Sequence, residues 1–235
     1  MLEIIILILS IFQSIFGVGL LVIGTPLLLL LDYDFLLILQ ILLPCSILVS
    51  IFQIFNSKPI LKNEKKNIYI ALPFVFMGIL ILYFFNSTIN FKLIVGSAIL
   101  LSLLIKFFLK EKLSFFIVKN KIITLCFAGL FHGLTNTGGT IISIIFQELK
   151  KTKANIQVNI AYTYFYFATI QYISLNFFYG KILFKYENLT LLLLASFGYF
   201  LGAKIFKKLQ FNSFINSLNF VIFFSGLYLV FSELK

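Results

Sequence analysis

Arginine and tryptophan are absent from this 235-residue chain, and all 19 basic residues are therefore lysines. Isoleucine, phenylalanine, lysine and asparagine are abundant, which is typical of an AT-rich genome. The formal net charge of +11 is for that reason weak evidence for an acidic partner. The lysines also lie in short loops, where the positive-inside rule for membrane proteins accounts for them. We therefore do not expect nucleic-acid binding.

Charge of either sign is scarce, at 11% of residues, whereas 61% are hydrophobic. A soluble domain of this size could not bury so much apolar surface. The sequence thus predicts an all-α, multi-pass membrane protein in contact with a lipid bilayer. Because Glu3 is the only early charge and the first segment is long, we do not expect a cleavable signal peptide. The apolar segments span residues 4–31, 35–57, 68–85, 91–109, 122–149, 155–179, 186–206 and 211–231.

Residues that build metal centres and catalytic sites are also few. Cys45 and Cys126 have no CxxC spacing and no His or carboxylate at ligand spacing, so neither a metal site nor a redox pair is expected. The apolar segments contain no carboxylate pair, no HExxH motif and no Ser-base arrangement. The sequence therefore predicts neither an enzyme nor a cofactor.

Two glycine-interrupted apolar stretches lie at a fixed distance in the chain. A shift of 119 residues places Gln13 on His132, Gly17 on Asn136 and Gly19 on Gly138, and it also places Gln40 on Asn159. Broken helices at matching positions of two halves are typical of the binding site of secondary transporters. The pattern predicts two repeats, residues 1–119 and residues 120–235.

The distribution of lysines decides how these segments cross the membrane. If all eight simply crossed, lysine would be plentiful on both faces, against the positive-inside rule. If segment 122–149 enters and returns to the same side, Lys119 and Lys153 lie together with the other lysine-rich loops on the cytoplasmic side. Its counterpart, segment 4–31, is then expected to re-enter from the opposite face, although it is long enough to span outright. Each half would have one broken hairpin and three spans, which inverts the two repeats.

The helix breaks have a chemical consequence. A half-helix that begins inside the membrane directs unpaired backbone N–H groups, and the positive end of its dipole, at a ligand, and this favours an anion. Glycines at the breaks allow close approach of the backbone to that ligand. The competing interpretation is that the glycines only permit close helix packing. The candidate binding residues at the breaks are Gly17, Gly19, Thr25, Thr135, Asn136, Thr137, Gly138 and Gly139.

Three further polar residues lie within apolar segments. His132, the only histidine, could bind an anion when protonated, carry a coupling proton, or be a neutral hydrogen-bonded interface residue. Gln40 and Asn159 either brace the breaks or face the substrate, because unpaired amides are costly in a bilayer. The cluster formed by Tyr162, Tyr164, Tyr166 and Tyr172 is interpreted as packing.

The breaks resemble a known family. The stretch from Gly17 to Leu27, which reads GVGLLVIGTPL, is similar to the glycine-rich signature of TauE/SafE-type permeases, and Thr137-Gly138-Gly139-Thr140 is similar to its second copy. Leu20 and Leu21 stand where that signature has glycines. The resemblance implies a permease that moves a small sulfur-containing or organic anion, such as sulfite or a sulfonate, across the bacterial inner membrane. The alternative is a non-transporting membrane assembly factor or anchor. The oligomeric state stays open, a homodimer included.

Overall fold

Helices make up the regular structure of the chain. In the computed structural model the described residues are 1–57, 62–85, 119–149, 152–180 and 188–214, together with residues 90, 91, 93–97, 100, 115–117, 216, 217, 220 and 223. This part of the chain contains no β-strand. Most of the predicted segments 91–109 and 211–231 lies outside it. The principal helices are α1 (Leu2–Phe16), α2 (Gly24–Leu30), α3 (Phe35–Phe55), α4 (Lys62–Phe85), α5 (Lys121–Thr135), α6 (Gly139–Glu148), α7 (Lys153–Tyr179) and α8 (Asn188–Lys208).

Three of these helices contain stretches that are long and apolar enough to cross a membrane, namely Phe35–Phe55, Lys65–Phe85 and Leu189–Lys208. Large apolar side chains such as Ile4, Phe84 and Phe197 are exposed on the helices. A soluble monomer rarely exposes such side chains in number, whereas a lipid-facing surface requires them. The prediction of an all-α membrane protein is confirmed.

Both glycine-interrupted segments are broken at the predicted positions. Helix α1 ends at Gly17, which adopts the left-handed conformation (φ 79°) and donates its N–H to Gln13 O at 2.8 Å. Helix α5 ends in the same way at Asn136 (φ 63°), whose N–H is donated to His132 O at 2.8 Å. Glycine and asparagine are the residues that tolerate this conformation best. The 119-residue shift therefore aligns two identical helix ends.

Each broken segment folds back on itself. The Lys121 ammonium, at the start of α5, lies 5.8 Å from the centroid of the Phe146 ring near the end of α6. A Cβ added at Gly138 would meet the side chain and backbone of His132, so α6 begins against the last turn of α5. In the first half, Gly19 packs in the same way against Leu9 and Gln13. We refer to α1–α2 and α5–α6 as the first and second hairpins.

The packing of the helices is the same in both halves. Helices α3 and α7 pack against each other, and α1 packs on α8 as α5 packs on α4. When the first four helices are exchanged with the last four, four further pairs of contacting helices also have a counterpart. These pairs are α3–α8 with α4–α7, α1–α3 with α5–α7, α2–α3 with α6–α7, and α1–α2 with α5–α6.

Small residues allow each hairpin to approach the outer helix of the other half. In the α4–α5 pair, Gly78 lies against Leu134 and Gly133, and Gly129 lies against Ala71. In the α1–α8 pair, Gly198 lies against Leu7 and Ser10, and Gly202 lies against Ile11 and Ser14. In both pairs, residues later in one helix contact residues later in the other, so the two helices of each pair run parallel. Close contact through small residues is typical of helix packing in membranes.

Two left-handed glycines offer a matched test of the first break. A Cβ at Gly17 would lie 2.9 Å from Ile160 Cβ, whereas a Cβ at Gly180 (φ 59°) would meet nothing within 4 Å. Both alanine variants incur the left-handed penalty of about 1–2 kcal/mol. Only Gly17→Ala must also displace Ile160, at a further cost of roughly 1–3 kcal/mol. We expect thermal unfolding in detergent to show a clearly larger loss for Gly17→Ala. Equal losses would mean that the first break is loosely packed.

Candidate functional site

The two hairpin tips meet directly. The Asn136 side chain donates a hydrogen bond from Nδ2 to Thr25 Oγ1 at 2.8 Å, across 111 residues of sequence. Both side chains are fully buried. Two of the predicted site residues from opposite halves are thereby brought into contact. The remaining side-chain oxygen of Asn136 has no hydrogen-bond partner.

The polar side chain that precedes the first break is fully hydrogen-bonded within its own half. Gln13 donates from Nε2 to Ser46 O and Ser46 Oγ, both at 2.9 Å, and to Ser50 Oγ at 3.2 Å. Its Oε1 accepts the N–H of Leu20 at 3.3 Å. An N–H freed by the break is thus capped by a side chain of the same hairpin.

The second hairpin leaves the equivalent groups unpaired. His132 occupies the place of Gln13, is fully buried, and has no hydrogen-bond partner at either ring nitrogen. Its ring packs edge-on against Tyr164, with the centroids 5.6 Å apart. The Tyr164 hydroxyl is likewise buried without a partner. Among the described residues, no hydrogen bond reaches the amide N–H of Gly138 or Gly139.

Tyr164 is directed at the start of α6. A Cβ added at Gly139 would overlap the Tyr164 hydroxyl and ring, so glycine is required for this approach. The hydroxyl therefore lies beside the first amides of a ten-residue helix, where unpaired N–H groups and the helix dipole both favour negative charge.

Two glutamines brace the hairpin ends from the third helix of each half. Gln53 donates from Nε2 to Gln13 O at 2.8 Å and Ser14 O at 3.2 Å. Gln171 donates to His132 O at 3.3 Å and Gly133 O at 3.5 Å. The acceptor residues of the two halves are 119 residues apart in sequence, whereas the donors Gln53 and Gln171 are 118 residues apart. These contacts satisfy carbonyls at the last turns of α1 and α5.

The threonines of the second break are occupied locally. Thr135 Oγ1 donates to Phe131 O at 2.7 Å and pairs with Thr137 Oγ1 at 2.8 Å. Thr140 Oγ1 donates to Thr137 O at 3.0 Å. These side chains shape the turn, and because each hydroxyl has a single hydrogen, none is left to donate to a ligand.

The predicted pair formed by Gln40 and Asn159 stands apart from the tips. Gln40 is half-buried, and no described hydrogen bond joins it to either break. Asn159 is buried but donates to Asn155 O of its own helix at 2.6 Å, and its Oδ1 is unpaired. Neither Gln40 nor Asn159 is placed at the tip contact by a hydrogen bond.

Sequence reasoning missed the residues that surround the tips from α3 and α7. Gln53, Gln171 and Gln157 are buried amides, and Gln157 donates to Ser14 O and Ile15 O at the end of α1. Tyr164 was assigned to packing. A comparison of the halves that allowed a one-residue gap would have aligned Gln53 with Gln171 and Ser46 with Tyr164, and thereby indicated three of these four residues but not Gln157.

The site contains no buried formal charge among the described residues. Every buried polar side chain there is Ser, Thr, Asn, Gln, His or Tyr. Within the same residues, no group of three or more His, Cys, Asp or Glu is placed to hold a metal ion. An anion at the tips would therefore be bound by amides, hydroxyls and an imidazole.

Comparison with known proteins gives one match. A family model described as "Sulfite exporter TauE/SafE" matches residues 2–229, nearly the whole chain. No curated protein and no solved structure matches.

Proposed function

We propose, from the premise that this chain belongs to the TauE/SafE sulfite exporter family, that it is a secondary transporter for a small sulfur-containing or organic anion. Members of that family are membrane transporters rather than enzymes. The proposed substrate class is sulfite and sulfonates, and the proposed location is the bacterial inner membrane, which the chain crosses several times. The observation that carries the proposal is the contact between the two hairpin tips, where Asn136 meets Thr25 beside unpaired buried donors.

An inverted arrangement of the two halves accounts for this contact. The end of α1 lies against the second half of α3, where Gln13 contacts Ser46 and Ser14 contacts Gln53. Helix α7 runs antiparallel to α3. Gln157, near its start, contacts the end of α1, and Tyr179, at its end, lies close enough to Asp34 at the start of α3 to interact electrostatically. Two hairpins that enter from opposite faces would meet near the bilayer centre, as in inverted-repeat carriers.

The lysines support the same orientation. Lys153, at the start of α7, donates to Phe206 O and Leu209 O at the end of α8, so these two helix ends lie together with Lys207 and Lys208. Lys65, at the start of α4, lies 5.6 Å from the Tyr162 ring in the first half of α7. One end of the bundle thus collects the lysines, and we assign it to the cytoplasm.

Flux into liposomes tests the proposal. Purified protein is reconstituted into liposomes loaded with unlabelled sulfite, and entry of labelled sulfite is measured against protein-free liposomes. We expect saturable uptake that rises with the internal unlabelled anion, because a carrier exchanges substrate faster than it returns empty. Uptake equal to that of protein-free liposomes for sulfite, sulfonates and small carboxylates alike, with the protein folded, would contradict a transport function.

A further inference from the structure

The two hairpins differ in one respect that their matched packing does not explain. At the matched positions Gln13 and His132, the glutamine side chain takes part in five hydrogen bonds within its own half and the imidazole in none. Both side chains are fully buried. The residues that face these two positions differ in the same way. Ser46 is hydrogen-bonded to Gln13, whereas the hydroxyl of Tyr164, which faces His132, has no partner.

Unpaired buried polar groups are costly. Each has lost its hydrogen bond to water without gaining a partner in the protein, and fully orphaned groups are rare in native proteins. The second hairpin concentrates four of them in one place, namely the His132 ring, the Tyr164 hydroxyl and the amides of Gly138 and Gly139. Such a concentration at the start of a helix is explained if a ligand completes the hydrogen bonds.

We propose that the second half forms the oxyanion subsite, in which His132, Tyr164 and the amides of Gly138 and Gly139 bind a substrate carrying a single negative charge. This inference rests on the proposed transport function. The first half differs at the side chains, because Gln13 is fully hydrogen-bonded and caps the Leu20 amide that matches Gly139. The side-chain donors of the subsite thus both come from the second half.

The proposed substrate carries only one negative charge because all the available donors are neutral. They are two amides, a hydroxyl and an imidazole, and no lysine is buried among the described residues. The cost of removing an ion from water increases with the square of its charge, and neutral donors offset that cost for a monoanion far more readily than for a dianion. A sulfonate or hydrogensulfite, with three oxygens to share among these donors, fits; sulfate does not.

Matched tyrosine variants test the subsite. Tyr164→Phe removes only an unpaired hydroxyl, so its stability in detergent should equal or exceed that of the unmodified protein. Tyr179→Phe is the control, because its hydroxyl is also buried and unpaired but lies fifteen residues further along α7, roughly 22 Å away at 1.5 Å per residue. Methanesulfonate and sulfate are added as competitors of labelled sulfite uptake.

For the unmodified protein, we expect methanesulfonate to inhibit at a concentration about tenfold or more below that of sulfate, and Tyr164→Phe to weaken methanesulfonate inhibition by about tenfold. Tyr179→Phe should leave inhibition unchanged. Two results would show that the proposed subsite is wrong while the transport function stands. One is that sulfate inhibits sulfite uptake as well as methanesulfonate does, and the other is that methanesulfonate inhibits Tyr164→Phe as well as it inhibits the unmodified protein. A stability loss in Tyr164→Phe with normal inhibition would give the hydroxyl a structural role. Absence of any uptake by the unmodified protein would overturn both proposals.

Discussion

Asn136→Asp is expected to abolish anion uptake while leaving the protein folded. The substitution preserves the size of the side chain, and aspartate tolerates the left-handed conformation of Asn136 nearly as well as asparagine does. It introduces a negative charge at a fully buried position beside Thr25, where the substrate's own charge is proposed to lie. Repulsion in this low-dielectric setting should reduce uptake by about 100-fold or more.

The pH dependence of this variant provides a second readout. Lowering the external and internal pH together should restore part of the uptake, because a protonated carboxyl group is neutral. Asn120→Asp is the control: Asn120 is the N-cap of α5, where aspartate is favourable, and its uptake should be unchanged. Normal uptake by folded Asn136→Asp at neutral pH would remove the hairpin tips from the anion pathway.

Thr25→Val is expected to slow uptake about tenfold and to lower stability, because it leaves the Asn136 amide buried without its acceptor, a cost of about 1–3 kcal/mol. Asn136→Gly removes the donor instead, and glycine is the residue that occupies the matching helix end at Gly17. If the two side chains act through their mutual hydrogen bond, the double variant should be no more impaired than the worse single variant. Strictly additive losses, measured as unfolding free energies and as uptake rates, would show that the contact at 2.8 Å is not what couples the tips.

The breaks were predictable because they depend on local backbone chemistry. Glycine and asparagine at Gly17 and Asn136 end helices wherever they can adopt positive φ, and the repeat aligned them without any tertiary information. The start of the helix after the first break does not follow from local backbone chemistry in the same way. Helix α2 begins at Gly24 after a turn, and the Leu20 amide in that turn is capped by Gln13 Oε1 from the preceding helix.

The residues around the tips could not be ranked from the sequence. Thr135 and Thr137 were candidates because hydroxyls suit anions, but each uses its hydroxyl in the turn. Gln53 and Gln171 were passed over because they align only after a one-residue gap. Tyr164 resembles its packed neighbours in sequence, and only the structure shows that its hydroxyl is unpaired beside Gly139. Contacts of this kind depend on which helix face meets which neighbour.

The accessibility of Thr25 tests most directly the central claim that both faces of the membrane reach one site at the hairpin tips. Thr25→Cys is made in a background lacking Cys45 and Cys126, with Gly180→Cys as the control at the exposed end of α7. A membrane-impermeant thiol reagent is applied to either face of oriented vesicles. The account predicts that Thr25→Cys reacts from both faces and that sulfite slows both reactions, whereas Gly180→Cys reacts from one face regardless of sulfite. Reaction of Thr25→Cys from a single face, unaffected by sulfite, in a variant that still transports would contradict it.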